Sequence, residues 1–249
     1  MARRTKEQAE KTRNAVLDAA CEVFLKRGVA RATLDEVAQA AGVTRGAVYW
    51  HFRDKIDLFL ALAERERLFL EGLLTDLVVR LDTEPGLDAL GELARSVEAA
   101  FVALEGDAER RRLLTVLLLR CEYVAEMDPV VHRQRRADAM FQAALKHVFD
   151  LAAARGRLAA PWQPPEAAMA CFLLVNGLIQ AWLRTPEKIR LTVQGKALVR
   201  TFLAALDGVP AGASPGTQSS DQKSRIMSKS AGDDAAAART LPRASEAVL

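Results

Sequence analysis

The sequence predicts an all-α fold, and three observations carry that reading. Alanine and leucine are abundant while Phe, Trp and Tyr together make up only 6% of the residues, a balance that favours helices over a β-sandwich or barrel. Apolar residues recur at helical spacing through most of the chain. Capping residues, glycines and prolines fall where such helices would start and stop. With 50% hydrophobic and 27% charged residues, a chain of 249 can bury two small cores or one large one with an appendage.

From Thr5 to Lys26, Val16, Ala20 and Phe24 step by four with Leu17 and Cys21 beside them, and Gly28 supplies the stop. Thr33-Leu34-Asp35-Glu36 forms a capping box, in which Thr33 and Glu36 satisfy each other's free backbone amides. The short second helix ends at Gly42, Thr44 caps a third, and Asp54 caps a long fourth helix running through Ile56, Phe59, Leu60 and Leu62 towards Arg80. Further helices start near Gly86, Asp107 and Pro129, the last of these stopping at Gly156. Pro164-Pro165-Glu166 opens an apolar helix to Arg184, and a final one runs from about Arg190 to Leu206. That makes nine helices and no strand. Residues 208–249 contain no Phe, Trp or Tyr and are rich in Ala, Ser, Gly and Pro, so a disordered tail is expected there.

Several function classes drop out. Cys21, Cys121 and Cys171 lie 100 and 50 positions apart, which fits neither a disulfide framework nor a zinc knuckle. His51, His132 and His147 form no metal-binding spacing, and His147 with Asp150 reads as a solvated helix pair. Neither a GxSxG nucleophile motif nor a glycine-rich phosphate loop is present, so no catalytic residue, metal or cofactor is expected. The longest uncharged run, Ala167 to Leu183, has 17 residues, short of the roughly 20 that a membrane span needs, and reads as a buried helix. Met1 to Arg13 is charged throughout and does not read as a secretory signal. A cytoplasmic chain without a membrane partner is the expectation.

The net charge of +3 is mostly N-terminal: residues 1–60 hold 11 Lys+Arg against 8 Asp+Glu, whereas 61–207 hold 19 against 20. A basic N-terminal domain on a neutral body suits an anionic partner such as nucleic acid, although ordinary surface variation accounts for the charge equally well. Arg110-Arg111-Arg112 reads as a solvated helix start.

Two short helices joined by Ala41-Gly42-Val43 fit a helix-turn-helix with the second helix as the reading head. Val48 and Phe52 can pack on the core while Arg45 and Tyr49 share an outward face. Arg45 suits paired hydrogen bonds to guanine, Gly46 allows close approach to a nucleic-acid backbone, and Thr44 and His51 can meet phosphate. Lys55 sits in the first turn of the fourth helix, where a cation opposes the helix dipole; a phosphate between them would remove the conflict. In the body, Leu113-Leu114 and Leu117-Leu118-Leu119 read as core before pocket, and Asn176 needs a hydrogen-bond partner in protein, water or ligand.

At these residues the sequence resembles the tetracycline-repressor (TetR) family. The resemblance lies in Thr33-Leu34-Asp35-Glu36-Val37-Ala38, in Ala41-Gly42-Val43-Thr44-Arg45-Gly46-Ala47-Val48-Tyr49-Trp50-His51-Phe52, and in Lys55. Four further stretches are similar to the AcrR-type repressors of multidrug efflux pumps: Met1-Ala2-Arg3-Arg4-Thr5-Lys6-Glu7, Arg120-Cys121-Glu122-Tyr123, Gly156-Arg157-Leu158 and Val175-Asn176-Gly177-Leu178-Ile179-Gln180-Ala181-Trp182-Leu183. The likeness covers residues 1–206, most strongly to about residue 60.

The resemblance implies a nine-helix TetR-like homodimer: a helix-turn-helix DNA-binding domain at 1–60, a ligand-binding and dimerisation domain at 61–207, and a tail at 208–249. Contacts to double-stranded operator DNA fall to Thr33, Thr44, Arg45, Gly46, Ala47, Tyr49, His51 and Lys55, with Trp50 expected mostly to pack. A pocket for a hydrophobic small-molecule inducer takes Phe172, Val175 and Asn176, with Leu114, Leu118 and Phe141 added from the looser part of the match. Gly177 and Ala181 permit close packing of the last two helices across the dimer, and Leu198, Phe202 and Leu206 continue that stripe. The implied function is a repressor, not an enzyme, released from its operator by that inducer and controlling an efflux operon. The residues alone leave open an all-helical small-molecule-binding protein whose N-terminal module does not read DNA.

Overall fold

Helix caps account for where this chain turns. The structure, a computed structural model, describes residues 2–121 and 128–208; Glu122, Tyr123 and the tail from residue 209 lie outside the described residues. Among them are nine α-helices: α1 (Ala2–Arg27), α2 (Leu34–Ala41), α3 (Arg45–His51), α4 (Lys55–Thr83), α5 (Ala89–Gly106), α6 (Ala108–Leu119), α7 (Asp128–Ala154), α8 (Pro164–Arg184) and α9 (Lys196–Leu206).

The predicted caps are made. The Thr33 hydroxyl accepts from the Glu36 amide at 3.2 Å, and the Thr33 amide donates to Glu36 Oε2 at 3.0 Å. Thr44 accepts from Ala47 N and Asp54 from Asp57 N. Asp107 Oδ1 accepts from the amides of both Glu109 and Arg110, and this acid at the helix start offsets the three arginines that follow it. α5 begins at Ala89 rather than near Gly86 because Leu87 N bonds back to Glu84 O, closing a turn through Pro85 and Gly86.

The final helix also departs from expectation. A π-helical turn, Leu191–Gly195, precedes α9. Glu105 of α5 accepts from the Leu191 amide and the Thr192 hydroxyl, and so caps that turn from outside. Gly195 is closely packed there: a Cβ at this position would sit 3.0 Å from the ring of Phe101, which would have to give way.

Two hydrophobic cores share α4. Val16, Leu17, Ala20 and Phe24 of α1, Val37 of α2, Val48 of α3 and Leu58, Phe59 and Leu62 of α4 form the first, joined by Leu113 and Val116 of α6 and Val130 of α7. Leu77 and Leu81 of α4 enter the second with Leu93, Phe101 and Leu104 of α5, Phe149 of α7, Trp182 of α8 and Leu203 of α9. Arg65, between the two α4 stretches, donates to Asp18 and Asn14 and ties α4 to α1. At the far end of α4, Arg80 donates to the buried Glu92 of α5.

Three expectations are corrected here. Leu206 is buried in the second core, so the outward stripe of α9 keeps Leu198 and a half-buried Phe202 but not Leu206. His147 pairs with Asp82 of α4 at 2.8 Å, and it is Lys146 that takes Asp150. α8 buries only one face: it has the length and apolar composition of a membrane span, and Ala168, Cys171, Leu178 and Trp182 are covered while Met169 and Leu173 are exposed.

Candidate functional site

The α2–α3 unit is built to hold a short helix outward. Gly42 ends α2 at φ +65°, a left-handed conformation that costs glycine little and a side chain more, and Val43 N bonds back to Ala38 O. Val48 is fully buried and Phe52 nearly so, which anchors α3 by one face. The opposite face presents Arg45, Gly46, Tyr49 and Trp50 to solvent, with Ala47 and His51 half-covered at its flanks. Trp50 is 83% exposed, contrary to the packing role expected for it. Successive residues of a helix point about 100° apart, so the position after Tyr49 stays on the outward side of a helix anchored by Val48 and Phe52.

Arg45 is already held within this surface. Its Nη1 donates to Asp35 Oδ2 of α2 at 3.2 Å, its Nε lies 3.2 Å from Asp35 Oδ1, and its Nη2 donates to the Tyr49 hydroxyl at 3.3 Å. The Tyr49 hydrogen bond first, and the Asp35 charge second, raise the pKa of the guanidinium and keep it charged. Asp35 therefore belongs to the site, and neither helical period brings it next to Arg45 on paper.

The other predicted contacts sit around this centre. Thr33 and Thr44 are exposed, and each spends its hydroxyl oxygen on a cap; the Thr33 hydroxyl also donates to Glu36. His51 is held below its ordinary pKa, by burial first and by the charge of Arg13 second, so at neutral pH it is an uncharged imidazole. Lys55 Nζ donates to the Ala30 carbonyl at 2.6 Å. The cation at the start of α4 thus finds its partner within the chain, in the loop before α2, and the dipole conflict does not by itself call for a phosphate.

In the body, a cavity of about 230 Å³ opens between α4, α5, α6, α7 and α8. All six predicted pocket residues line it: Leu114, Leu118, Phe141, Phe172, Val175 and Asn176. Phe59, Leu60, Ala63, Leu73 and Leu74 form the α4 wall. The lining is mainly apolar, with Ser96, Arg133, Gln134, Asp138 and Asn176 as polar points, an arrangement suited to an apolar ligand oriented by a few hydrogen bonds. Asn176 Nδ2 donates to Phe172 O one turn back, so part of its amide already has a structural partner. Arg133 was not foreseen: it stands in a run with Arg135 and Arg136 that reads as a solvated face. Among the described residues no group of three His, Cys, Asp or Glu side chains is placed to hold a metal.

The family described as bacterial regulatory proteins, tetR family, matches residues 16–62, and the C-terminal region of MAATS-type transcriptional repressors matches residues 89–207. The chain is similar to the HTH-type transcriptional repressor BepR of Brucella suis, with 36% identity covering 82% of this chain and 96% of that protein. It is also similar to the HTH-type transcriptional regulator TtgR of Pseudomonas putida, with 38% identity over 85% and 99% of the two chains. Among solved structures, NalD, the secondary repressor of the MexAB-OprM multidrug efflux pump in Pseudomonas aeruginosa, superimposes with a TM-score of 0.72 at 35% identity, covering 81% of this chain and 98% of that one.

Proposed function

The chain belongs to the TetR family of bacterial regulatory proteins, and from that premise we propose that it is a cytoplasmic homodimeric repressor of an efflux operon, released from operator DNA by a hydrophobic small molecule. The observation that carries this reading is the double membership of α4. Its first turns pack Leu58, Phe59 and Leu62 into the core beneath α3, while Phe59, Leu60 and Ala63 also form a wall of the cavity. A molecule in the cavity touches the helix on which the reading head rests.

In this reading residues 1–60 bind DNA, and residues 61–207 bind ligand and the second protomer. Arg45 reads a base edge through the fork of its guanidinium, and Tyr49, Trp50, Thr44, Gly46, Ala47 and His51 meet the groove and its phosphates. Thr33 and Lys55 add backbone contacts, Lys55 with the protons its bond to Ala30 leaves over. One such helix reads only a few base pairs, so two related by symmetry, about 34–36 Å apart or a multiple of that, supply specificity. Met169, Leu173, Gly177 and Ala181 step by four along α8, and Leu173 is 59% exposed, which supports a dimer face there with Leu198 of α9 beside it. The efflux assignment rests on the relatives, among them the repressor of a multidrug pump.

Release follows if the ligand prefers a position of α4 in which the two reading heads no longer match the groove. The test is a gel-shift titration with the DNA upstream of its own coding sequence, with and without an efflux-type drug. A shifted complex that dissolves as drug is added is expected; absence of any sequence-preferring complex would overturn the reading.

A further inference from the structure

From Lys11 to Lys55, every cationic side chain but one has a partner among the described residues. Lys11 pairs with Glu7, Lys26 with Glu22, Arg27 with Glu36 and Arg53 with Asp57. Arg13 lies over the Phe52 ring, Arg45 is held by Asp35 and Tyr49, and Lys55 donates to the Ala30 carbonyl. Arg31 is exposed and has no partner among the described residues.

The loop that carries Arg31 is pinned on both sides of it. Val29 N donates to the Arg120 carbonyl at the end of α6, Ala32 N donates to Gly28 O, and Thr33 then caps α2. The bond from Val29 brings a second cation to the loop. Arg120 is also exposed and without a side-chain partner among the described residues, and it comes from the body of the protein. The nearby acids Glu22 and Glu36 are already paired with Lys26 and Arg27.

We propose that Arg31 and Arg120 form a clamp on the DNA backbone beside the groove that α3 enters, so that the interface extends from the helix-turn-helix onto α6 of the body. The proposal rests on the DNA-binding reading given above and adds a phosphate-binding surface to it. Two arguments select DNA as the occupant. The surface is continuous with the reading head, since Arg31 stands between Ala30, where Lys55 is bound, and Thr33. Its charge is also complementary to a duplex that presents one negative charge per about 1.7 Å of axis. Val29 and Arg31 are two residues apart, at most about 7 Å of chain, so the two guanidiniums serve neighbouring phosphates. A guanidinium meets a phosphate through two parallel hydrogen bonds, and neither arginine gives up a protein partner to do so. Such contacts position the duplex and carry no sequence information.

The full-length protein is titrated against operator and scrambled duplexes at several salt concentrations, with Arg31→Ala, Arg120→Ala, both together, and Arg111→Ala as the control. Arg111 is equally exposed and without a partner among the described residues, but it lies at the other end of α6, roughly 13 Å along the axis. Each phosphate contact contributes about 0.9 to the slope of log affinity against log salt. With two copies in the proposed dimer, Arg31→Ala and Arg120→Ala each lower the slope by about 1.8 on both duplexes, and the double variant by about 3.6. The ratio of operator to scrambled binding is unchanged in all of them, and Arg111→Ala keeps the native slope. Arg31→Lys, which retains the charge, keeps it as well. An unchanged slope in both single variants overturns the clamp; a patch serving another anionic partner would give that result. An equal fall in Arg111→Ala also overturns it, because net charge alone then accounts for the effect. A fall in Arg31→Ala but not in Arg120→Ala overturns the extension onto the body. A native protein that binds neither duplex overturns the DNA-binding reading itself, an outcome distinct from native binding with unaltered slopes.

Discussion

Arg45 and Asp35 face each other across the turn of the reading head, the Arg45 Nη1 bonded to Asp35 Oδ2 at 3.2 Å. The pair joins the arginine of α3 that we propose reads a base to an acid on α2, and both side chains are more than half exposed, so its value lies in orientation and not in stability. Asp35→Ala should raise affinity for random DNA, because an acid facing the phosphates is gone, and lower the ratio of operator to random binding, because Arg45 loses its guide. The same change in an Arg45→Ala background should leave that ratio unaltered. Paired titrations on operator and scrambled duplex read both, and an unchanged ratio in the single variant would contradict the role of Asp35.

Arg45 and Lys55 should fail differently. Arg45→Ala is expected to relax sequence preference by about tenfold or more at one position, as the loss of a base contact does. Lys55→Ala should weaken all sequences alike and reduce the salt dependence by about one charge per contact. It also removes the bond to Ala30 O, so a stability loss of about 1 kcal/mol should accompany it. An unchanged salt slope with that stability loss would make Lys55 a structural residue only.

His51 gives a pH signature. Its pKa in the folded chain lies below the ordinary 6.5, so as pH falls the unfolded chain takes up the proton first. Stability is therefore lost as pH drops through about 6.5 and levels off below the folded-state value. Denaturant midpoints measured downward from about pH 7.5 should fall more steeply for the native sequence than for His51→Gln; parallel curves would remove His51 as the cause.

Gly195→Ala should destabilise the protein by about 1 kcal/mol, since the added methyl comes within 3.0 Å of the Phe101 ring, which must shift towards the cavity it lines. Urea unfolding checks this, and an unchanged midpoint would show that the ring moves aside freely.

What was legible in the sequence was local. Thr33, Thr44, Asp54 and Asp107 announce their helices because each cap is made within three residues, and Gly42 announces a turn because its φ is positive. The pocket residues were legible through the family resemblance, which carried Phe172, Val175 and Asn176 onto one helix. What stayed hidden crosses between helices. Asp35 meets Arg45 ten residues on, Arg133 meets Leu60 and Glu64 some seventy residues back, and His147 prefers Asp82 to the nearer Asp150. No periodicity within one helix encodes such pairs. Leu206 and Trp50 show the same limit from the other side: which face of a short helix is covered depends on its neighbours, so an apolar residue at the right spacing can end in the core or in solvent.

Phe172→Ala separates the two sites. It should reduce the affinity of an aromatic probe such as 4-hydroxybiphenyl by roughly ten- to a hundredfold, the loss expected on emptying part of an apolar pocket, and leave ligand-free operator binding nearly intact. A parallel loss of DNA binding would mean that the ring supports the fold instead.

The central claim is that the cavity and the reading head are coupled through α4. The most direct measurement is the affinity of 4-hydroxybiphenyl for the protein, determined by titration with and without saturating operator DNA. The coupling predicts a ligand affinity lower by several-fold to about a hundredfold on the DNA-bound protein, with operator affinity lowered by the same factor when the ligand saturates. Equal ligand affinities in the two titrations would contradict it.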